Sequence, residues 1–149
     1  MALIQTVRTL ALGSLILFLL CIARPTSADE SFASRVIEFE TQNRNDAGVV
    51  RCGLFKQSGW LKEAFRASSV KVHGKQALCV FQDVPAGSYG ISAFHDENND
   101  GKLDTNLIGY PTEEYCASNN ARNLLSAPSF RDARFKYRGG RVRLRAIMK

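Results

Sequence analysis

Short runs of alternating apolar and polar residues, each ended by Gly, Asn, Asp or Pro, most strongly limit what this chain can fold into. Alternation with a period of two places successive side chains on opposite faces of a β-strand, and the turn-forming residues end each strand after a few positions. We therefore predict an all-β fold, an Ig-like or transthyretin-like β-sandwich of about seven strands.

The predicted strands alternate clearly, with Ile37 and Phe39 on one face of the first. Residues 56–69 have a spacing typical of one or two helical turns. From Asp96 to Ser126 the chain is too polar to form core, so we predict one long irregular loop, and a loop of this length usually needs something that holds its shape. The strands are predicted at 35–41, 49–55, 70–72, 76–81 and 89–95, with a C-terminal hairpin of 134–137 and 141–147 across Gly139-Gly140.

The first 28 residues have the pattern of an export signal. Arg8 precedes an apolar run from Leu10 to Ile22, and Thr26-Ser27-Ala28 supplies small residues for cleavage. The run has about 13 residues, whereas a membrane span needs roughly 20. We predict a signal peptide at 1–28 and a single domain at 29–149 in a periplasmic or secreted protein; acylation of Cys21 is the alternative, disfavoured by the bulky Leu20.

Three cysteines remain after cleavage, in a compartment where disulfides form. Cys52 and Cys79 each lie in a predicted core strand, so we predict a disulfide between them, with Cys116 left in the loop. The alternative is that both are small buried apolar residues.

Basic residues are concentrated at the C-terminus. The chain has 20 Lys and Arg against 14 Asp and Glu, and eight of the basic residues follow position 130, with Asp132 the only acid there. In the last predicted strand Arg141, Arg143 and Arg145 share one face. They could bind an anionic surface such as a cell-envelope component, or they could keep an edge strand from pairing with another sheet, which we favour. The lack of interleaved aromatics disfavours nucleic acid.

The segment from Asp96 to Asp104 has the spacing of a calcium loop. Oxygen-bearing side chains occupy its first, third, fifth and ninth places, and Gly101 occupies the sixth, where such loops bend. We predict calcium as the cofactor, bound by Asp96, Asn98, Asp100, the carbonyl of Lys102 and Asp104.

The twelfth place is Leu107, where an EF-hand has a bidentate Glu. The remaining ligands would then be water or nearby carboxylates, Glu113 or Glu114, and the expected dissociation constant is on the order of 10⁻⁴ to 10⁻³ M. The alternative is a solvated turn, for which Asn and Asp are also favoured.

The residues around this loop resemble a bacterial family of exported proteins, domain of unknown function 2141. The resemblance is carried by Val84-Pro85-Ala86-Gly87, His95-Asp96-Glu97-Asn98, Gly101–Asn106, Gly109-Tyr110-Pro111, Ser118–Ala121 and Pro128-Ser129-Phe130. It implies export and a β-sandwich, and it names no reaction or ligand. The family's Glu-Gly-Tyr-Gly-Phe-Ser is Glu113-Glu114-Tyr115-Cys116-Ala117-Ser118 here, so both glycines are replaced.

No recognisable catalytic constellation is present, and the favoured function is a calcium-stabilised module that binds a ligand or surface through Tyr110, Tyr115, Asn119 and Asn120. A hydrolase using His95 as general base with loop carboxylates is the alternative, although a His at a strand end more often orients a loop. Trp60, near Phe55 and Phe65, could stack on a sugar, but such aromatics more often cap the core.

Overall fold

The computed structural model describes residues 35–123 and 126–149, and these form an all-β sandwich with one short helix. The predicted fold class is therefore confirmed, and the predicted signal peptide lies outside the described residues. No helix in the described ranges is long and apolar enough to cross a membrane. The elements are β1 (Val36–Gln42), β2 (Val49–Phe55), β3 (Arg66–Lys71), β4 (Gln76–Phe81), β5 (Gly87–Asp96), β6 (Tyr115–Ala117), α1 (Phe130–Ala133), β7 (Phe135–Tyr137) and β8 (Arg141–Ile147), with 3₁₀ turns at Gln57–Gly59 and Ser118–Asn120.

The strands form two sheets. One has the order β4-β1-β8, and the other has the order β3-β2-β5-β6, with β7 also paired to β5. β1 and β8 are parallel, with Val36 opposite Arg141 and Gln42 opposite Ile147, and the other pairs are antiparallel. The first and last described strands therefore lie side by side, with β8 at an edge.

The predicted C-terminal hairpin is wrong, because β7 and β8 belong to different sheets. Gly139 and Gly140 do make the turn, at φ of 107° and 78°. The turn carries the chain from one sheet to the other: Tyr137 pairs with Gly87, whereas Arg141 pairs with Val36. A hairpin could match only the three residues of β7, while β1 offers β8 a partner along its full length.

Inward side chains form the core as the alternation predicts. Ile37, Phe39, Val50 and Leu54 are fully buried, and residues on the opposite faces of their strands are largely more exposed. The Cys52–Cys79 disulfide is confirmed, with an S–S distance of 2.03 Å. It joins β2 to β4, one strand from each sheet, so it fastens the two layers together.

The predicted helical turns at 56–69 are reduced to one 3₁₀ turn, after which β3 pairs along the edge of β2. Trp60 lies edge-on between Phe55 and Phe130, at centroid distances of 5.4 and 5.6 Å, and its indole N–H donates to the carbonyl of Pro128. Trp60 therefore caps the end of the sheet. Its ring and its N–H are used in contacts within the protein, which does not favour stacking on a sugar.

The stretch from 96 to 126 is not wholly irregular. Its residues 115–117 form β6, which pairs with residues 92–94 of β5. Cys116, predicted to lie in a loop, is therefore a strand residue with 1% of its surface exposed. Neither Glu114 nor Cys116 has a positive φ, so the glycines of the family pattern are not needed for backbone conformation here.

Candidate functional site: an acidic loop beside an apolar cleft

Asp96, the first predicted calcium ligand, ends β5 and is completely buried. Its Oδ1 accepts the amide N–H of Asp100 at 3.0 Å, and its Oδ2 accepts the amide N–H of Gly101 at 2.9 Å. Oδ2 also accepts a 2.5 Å hydrogen bond from Nε of Arg51. Burial raises the pKa of Asp96, but these three donors outweigh it and hold the pKa below its ordinary value, so the carboxylate is ionised.

The rest of the acidic loop curls through successive side-chain-to-backbone hydrogen bonds. Asn98 Oδ1 accepts the amide N–H of Asp100 at 3.0 Å, and Asp100 Oδ1 accepts that of Lys102 at 2.8 Å. The side-chain amide of Asn98 donates to Asp104 Oδ2 at 3.0 Å, which links the third and ninth places across the loop. Gly101 takes a φ of 87°, the left-handed conformation that the sixth place requires. These bonds place the predicted calcium-binding side chains on one closely folded loop.

Within the described ranges, no three His, Cys, Asp or Glu side chains converge on an ion-sized space. The guanidinium of Arg51 instead lies against the loop, bonded to Asp96 and, through NH2, to Asn99 Oδ1 at 3.1 Å. Sequence reasoning missed Arg51, because its partnership with Asp96 depends on the register between β2 and β5. The only available signal was its outward position in the alternation of β2.

Glu113 and Glu114, the two additional candidate ligands, take separate places. Glu113 is buried and accepts the amide N–H groups of Glu97 at 2.8 Å and Asp104 at 3.1 Å, so it closes the base of the loop. Glu114 turns away and accepts the amide N–H of Arg44 at 2.9 Å. Of the two, Glu113 is the one that lies beside a predicted ligand.

His95, the candidate general base, is fully buried. Its Nε2 donates to the carbonyl of Ala47 at 2.6 Å, and its Nδ1 lies 3.5 Å from Glu114 Oε2. Both ring nitrogens therefore face protein groups, which fits a residue that ties the β1–β2 connection to β5. This geometry does not favour His95 as a general base, since a general base must reach its substrate.

Arg141, Arg143 and Arg145 face carboxylates of the neighbouring strand β1. Glu38, only 4% exposed, accepts from Arg141 at 2.5 Å and Arg143 at 2.7 Å. Glu40 accepts from Arg145 at 3.1 Å. The predicted basic face is therefore a ladder of cross-strand ion pairs, which reduces the charge available to an anionic partner.

An apolar cleft of about 420 Å³ lies beside the acidic loop, on the outer face of β5. Phe94 and Tyr115, opposite each other in the β5–β6 register, belong to its sheet side, and residues 103–111 supply another side. None of the described lining residues is charged. They are Leu61, Ser92, Ala93, Phe94, Leu103, Thr105, Ile108, Gly109, Tyr110, Pro111, Tyr115, Asn123, Ser126, Ala127 and Pro128.

Of the four residues expected to meet a partner, Tyr110 and Tyr115 line this cleft, but Asn119 and Asn120 do not. Asn119 donates to the carbonyls of Asp132 and Arg134, and Asn120 accepts the amide N–H of Ile147. Sequence reasoning missed Phe94 and Leu103 as lining residues. The sequence did contain a signal for each: Phe94 is an apolar residue on an outward strand face, and Leu103 is an apolar residue in a polar loop.

These features define a β-sandwich that carries a loop-bordered apolar cleft at one side of its larger sheet. The family described as "Uncharacterized protein conserved in bacteria (DUF2141)" matches residues 41–145, and the chain belongs to that family. The match confirms the resemblance and also covers β2, β3 and β4, starting near the end of β1. No curated protein and no solved structure matches the chain.

Proposed function

We propose that this protein is an exported module that binds an uncharged, largely apolar ligand in the cleft beside β5, with calcium holding the acidic loop that borders it. The observation that carries the proposal is the cleft itself, whose described lining contains aromatic and aliphatic groups and no charged side chain. Its volume of about 420 Å³ falls in the range of small-molecule sites, which are typically apolar with a few polar groups. Ser92, Thr105 and Tyr115 would supply those polar groups.

Calcium belongs to the proposal because the acidic loop adjoins one side of the cleft. Leu103 and Thr105 line the cleft, and they flank Asp104, the last of the predicted ligands. A divalent cation on Asp96, Asn98, Asp100, the Lys102 carbonyl and Asp104 would restrain this segment. Binding would be weak, on the order of 10⁻⁴ to 10⁻³ M, and would serve to shape the cleft.

Export is supported by the N-terminal signal pattern and by the disulfide, which fits a compartment outside the reducing cytoplasm. Calcium is also available outside the cytoplasm at concentrations that a weak site needs. The three parts of the proposal are therefore mutually consistent.

The cleft is tested with the uncharged fluorescent probe N-phenyl-1-naphthylamine. Ser92→Trp places an indole in the cleft, and we expect it to weaken probe binding at least about tenfold, because the ring takes up space that the probe would fill. Ser69→Trp is the matched control, because Ser69 is exposed on β3 and does not line the cleft. Equal probe binding in both variants and the parent would refute the cleft as the ligand site.

Calcium is tested separately by calorimetry and by melting with calcium, magnesium or EDTA. We expect a calcium-specific rise in melting temperature that Asp100→Asn removes. Asp46→Asn controls for the charge change, because Asp46 accepts the amide N–H groups of Gly74 and Lys75 outside the loop. If millimolar calcium produces no heat of binding and no shift in melting temperature, calcium is removed from the proposal, while the cleft remains.

A further inference from the structure

The tip of the loop between Thr105 and Pro111 projects two neighbouring aliphatic side chains fully into solvent. Leu107 is 107% exposed and Ile108 is 88% exposed. Thr105 and Pro111 form an isolated β-bridge, which brings the two ends of the tip together. Exposed aliphatic side chains add no burial energy to the fold, and neighbouring ones mark a surface that meets something apolar.

The backbone of the tip is hydrogen-bonded within itself. Asn106 Oδ1 accepts the amide N–H groups of Ile108 at 3.1 Å and Tyr110 at 2.9 Å. The amide of Gly109 donates to the Asn106 carbonyl, and the amide of Asn106 donates to the Tyr110 carbonyl, at 2.9 and 2.8 Å. Backbone groups that enter hydrocarbon must be satisfied internally, since no water is present there. Four amide N–H groups of the tip therefore have partners within it, which lowers the cost of bringing this backbone close to hydrocarbon.

The residues from Thr105 to Pro111 also contain no charged side chain. Tyr110, at the base of the tip, is 58% exposed. Its ring combines an apolar body with a hydroxyl, the combination that is enriched where a protein crosses the membrane–water interface.

We propose that this tip inserts Leu107 and Ile108 into the surface of a lipid bilayer, with Tyr110 at the level of the headgroups. A bilayer is favoured over a protein pocket because both aliphatic side chains stand in solvent and four amide groups of the tip are already paired, so the tip offers few hydrogen-bond donors to a protein surface. Two aliphatic side chains give weak and reversible binding, comparable to or weaker than a single short acyl anchor.

Membrane docking goes beyond the proposed ligand site and depends on neither calcium nor a ligand. The tip and the ligand site are neighbours, however, because Ile108 and Tyr110 also line the cleft. Docking would place that edge of the cleft at the membrane surface, where apolar molecules are concentrated.

Binding is measured by co-flotation of the mature chain, residues 29–149 without the predicted signal, with phosphatidylcholine vesicles and with vesicles that also contain phosphatidylglycerol. We expect Leu107→Ser/Ile108→Ser to weaken partition on the order of 100-fold, because each residue loses most of its transfer free energy. Leu78→Ser/Val80→Ser is the matched control, since each of these two residues is 37% exposed on β4. The tip variant should keep the parent melting temperature, because its side chains are not buried.

Insertion is read out with a bimane label on Leu107→Cys in the same mature chain, which lacks Cys21. Cys116 is buried and Cys52 and Cys79 are bonded, so the label goes to the tip. At position 107 we expect the bimane emission to shift to the blue and to be quenched by brominated phosphatidylcholine. The control label on Arg138→Cys, in the β7–β8 turn, should show neither effect. An unshifted label at 107, or equal partition of the tip variant and the parent, would overturn the proposal. Binding confined to anionic vesicles, abolished by salt and without a shift at 107, would assign membrane contact to basic residues instead.

Discussion

Arg51 and Asp96 are 45 positions apart in the sequence, yet Nε of one donates to Oδ2 of the other at 2.5 Å. The carboxylate is completely buried, while the arginine side chain is 34% exposed. An outward residue of β2 therefore neutralises the first acid of the loop that leaves β5. This pair connects the stability of the sandwich to the shape of the candidate metal site.

Replacing Arg51 with Gln should destabilise the protein by about 2 kcal/mol, because a buried carboxylate loses its charged partner. Urea unfolding at pH 7 measures the change. Lys102→Gln, which also removes one positive charge from an exposed position near the loop, should cost much less. Equal stability of Arg51→Gln and the parent would show that the amides of Asp100 and Gly101 alone suffice for Asp96.

The same pair predicts how stability depends on pH. The pKa of Asp96 is lowered from its ordinary 3.8 in the folded protein, despite the burial that opposes this, through hydrogen bonds from Arg51, Gly101 and Asp100. A group with a lowered folded pKa stabilises the protein above its unfolded pKa, and the stabilisation is lost as pH falls through the folded pKa. We expect unfolding free energy to fall below about pH 4, with a shallower fall in Arg51→Gln. Parallel pH profiles would contradict this.

If calcium binds the loop, Arg51 competes with it for Asp96. Arg51→Gln should then tighten calcium binding several-fold, even though it weakens the metal-free fold, because a positive charge next to the ligand set is removed. Calorimetric titration measures the affinity, and Arg66→Gln, an exposed arginine on β3, provides the control. Weaker calcium binding in Arg51→Gln would show that the arginine shapes the loop for the metal.

The alternation of β1, β2, β4 and β5 could be predicted from the sequence because it depends on local periodicity. The pairing of strands could not, since β8 lies parallel to β1 across nearly the whole chain, and a glycine turn before it gives no sign of a change of sheet. The Cys52–Cys79 bond was predictable because both residues lie in core strands. Within the site, the fold of the acidic loop on its own side chains fits the spacing, whereas the contact of Arg51 with Asp96 required the register of β2 with β5, and the place of Phe94 opposite Tyr115 required that of β5 with β6.

Loss of the disulfide should cost about 3 to 4 kcal/mol on loop-closure grounds, since Cys52 and Cys79 are 27 positions apart. Chemical unfolding of Cys52→Ala/Cys79→Ala tests this, and the packing lost with two sulfur atoms adds to the effect. Cys116→Ala is the control for removal of a buried sulfur without a crosslink. Similar losses in the two variants would mean that packing, and not the crosslink, carries the stabilisation.

Cys116 should resist alkylation while the protein is folded. Burial raises the pKa of its thiol to about 12, and only 1% of the residue is exposed. The thiolate is the reactive form, so iodoacetamide at pH 8 should modify Cys116 only after unfolding. Peptide mass spectrometry measures modification at this residue alone. Rapid modification of the native protein would show that β6 detaches from β5 on the time scale of the reaction.

The ion-pair ladder between β1 and β8 makes a prediction about anionic partners. Hydrogen bonds from Arg143, opposed by desolvation, lower the pKa of Glu38, so the carboxylate stays ionised at neutral pH and compensates the arginines. Wild-type protein should therefore elute early from heparin, and Glu38→Gln/Glu40→Gln should elute at higher salt, because it frees the same arginines.

Glu63→Gln, an exposed acid outside the ladder, controls for the change in net charge. Strong retention of the wild type, lost on changing Arg141, Arg143 and Arg145 to Gln, would instead identify β8 as a polyanion-binding surface. Because the arginines are paired across adjacent strands in register, we expect the first result.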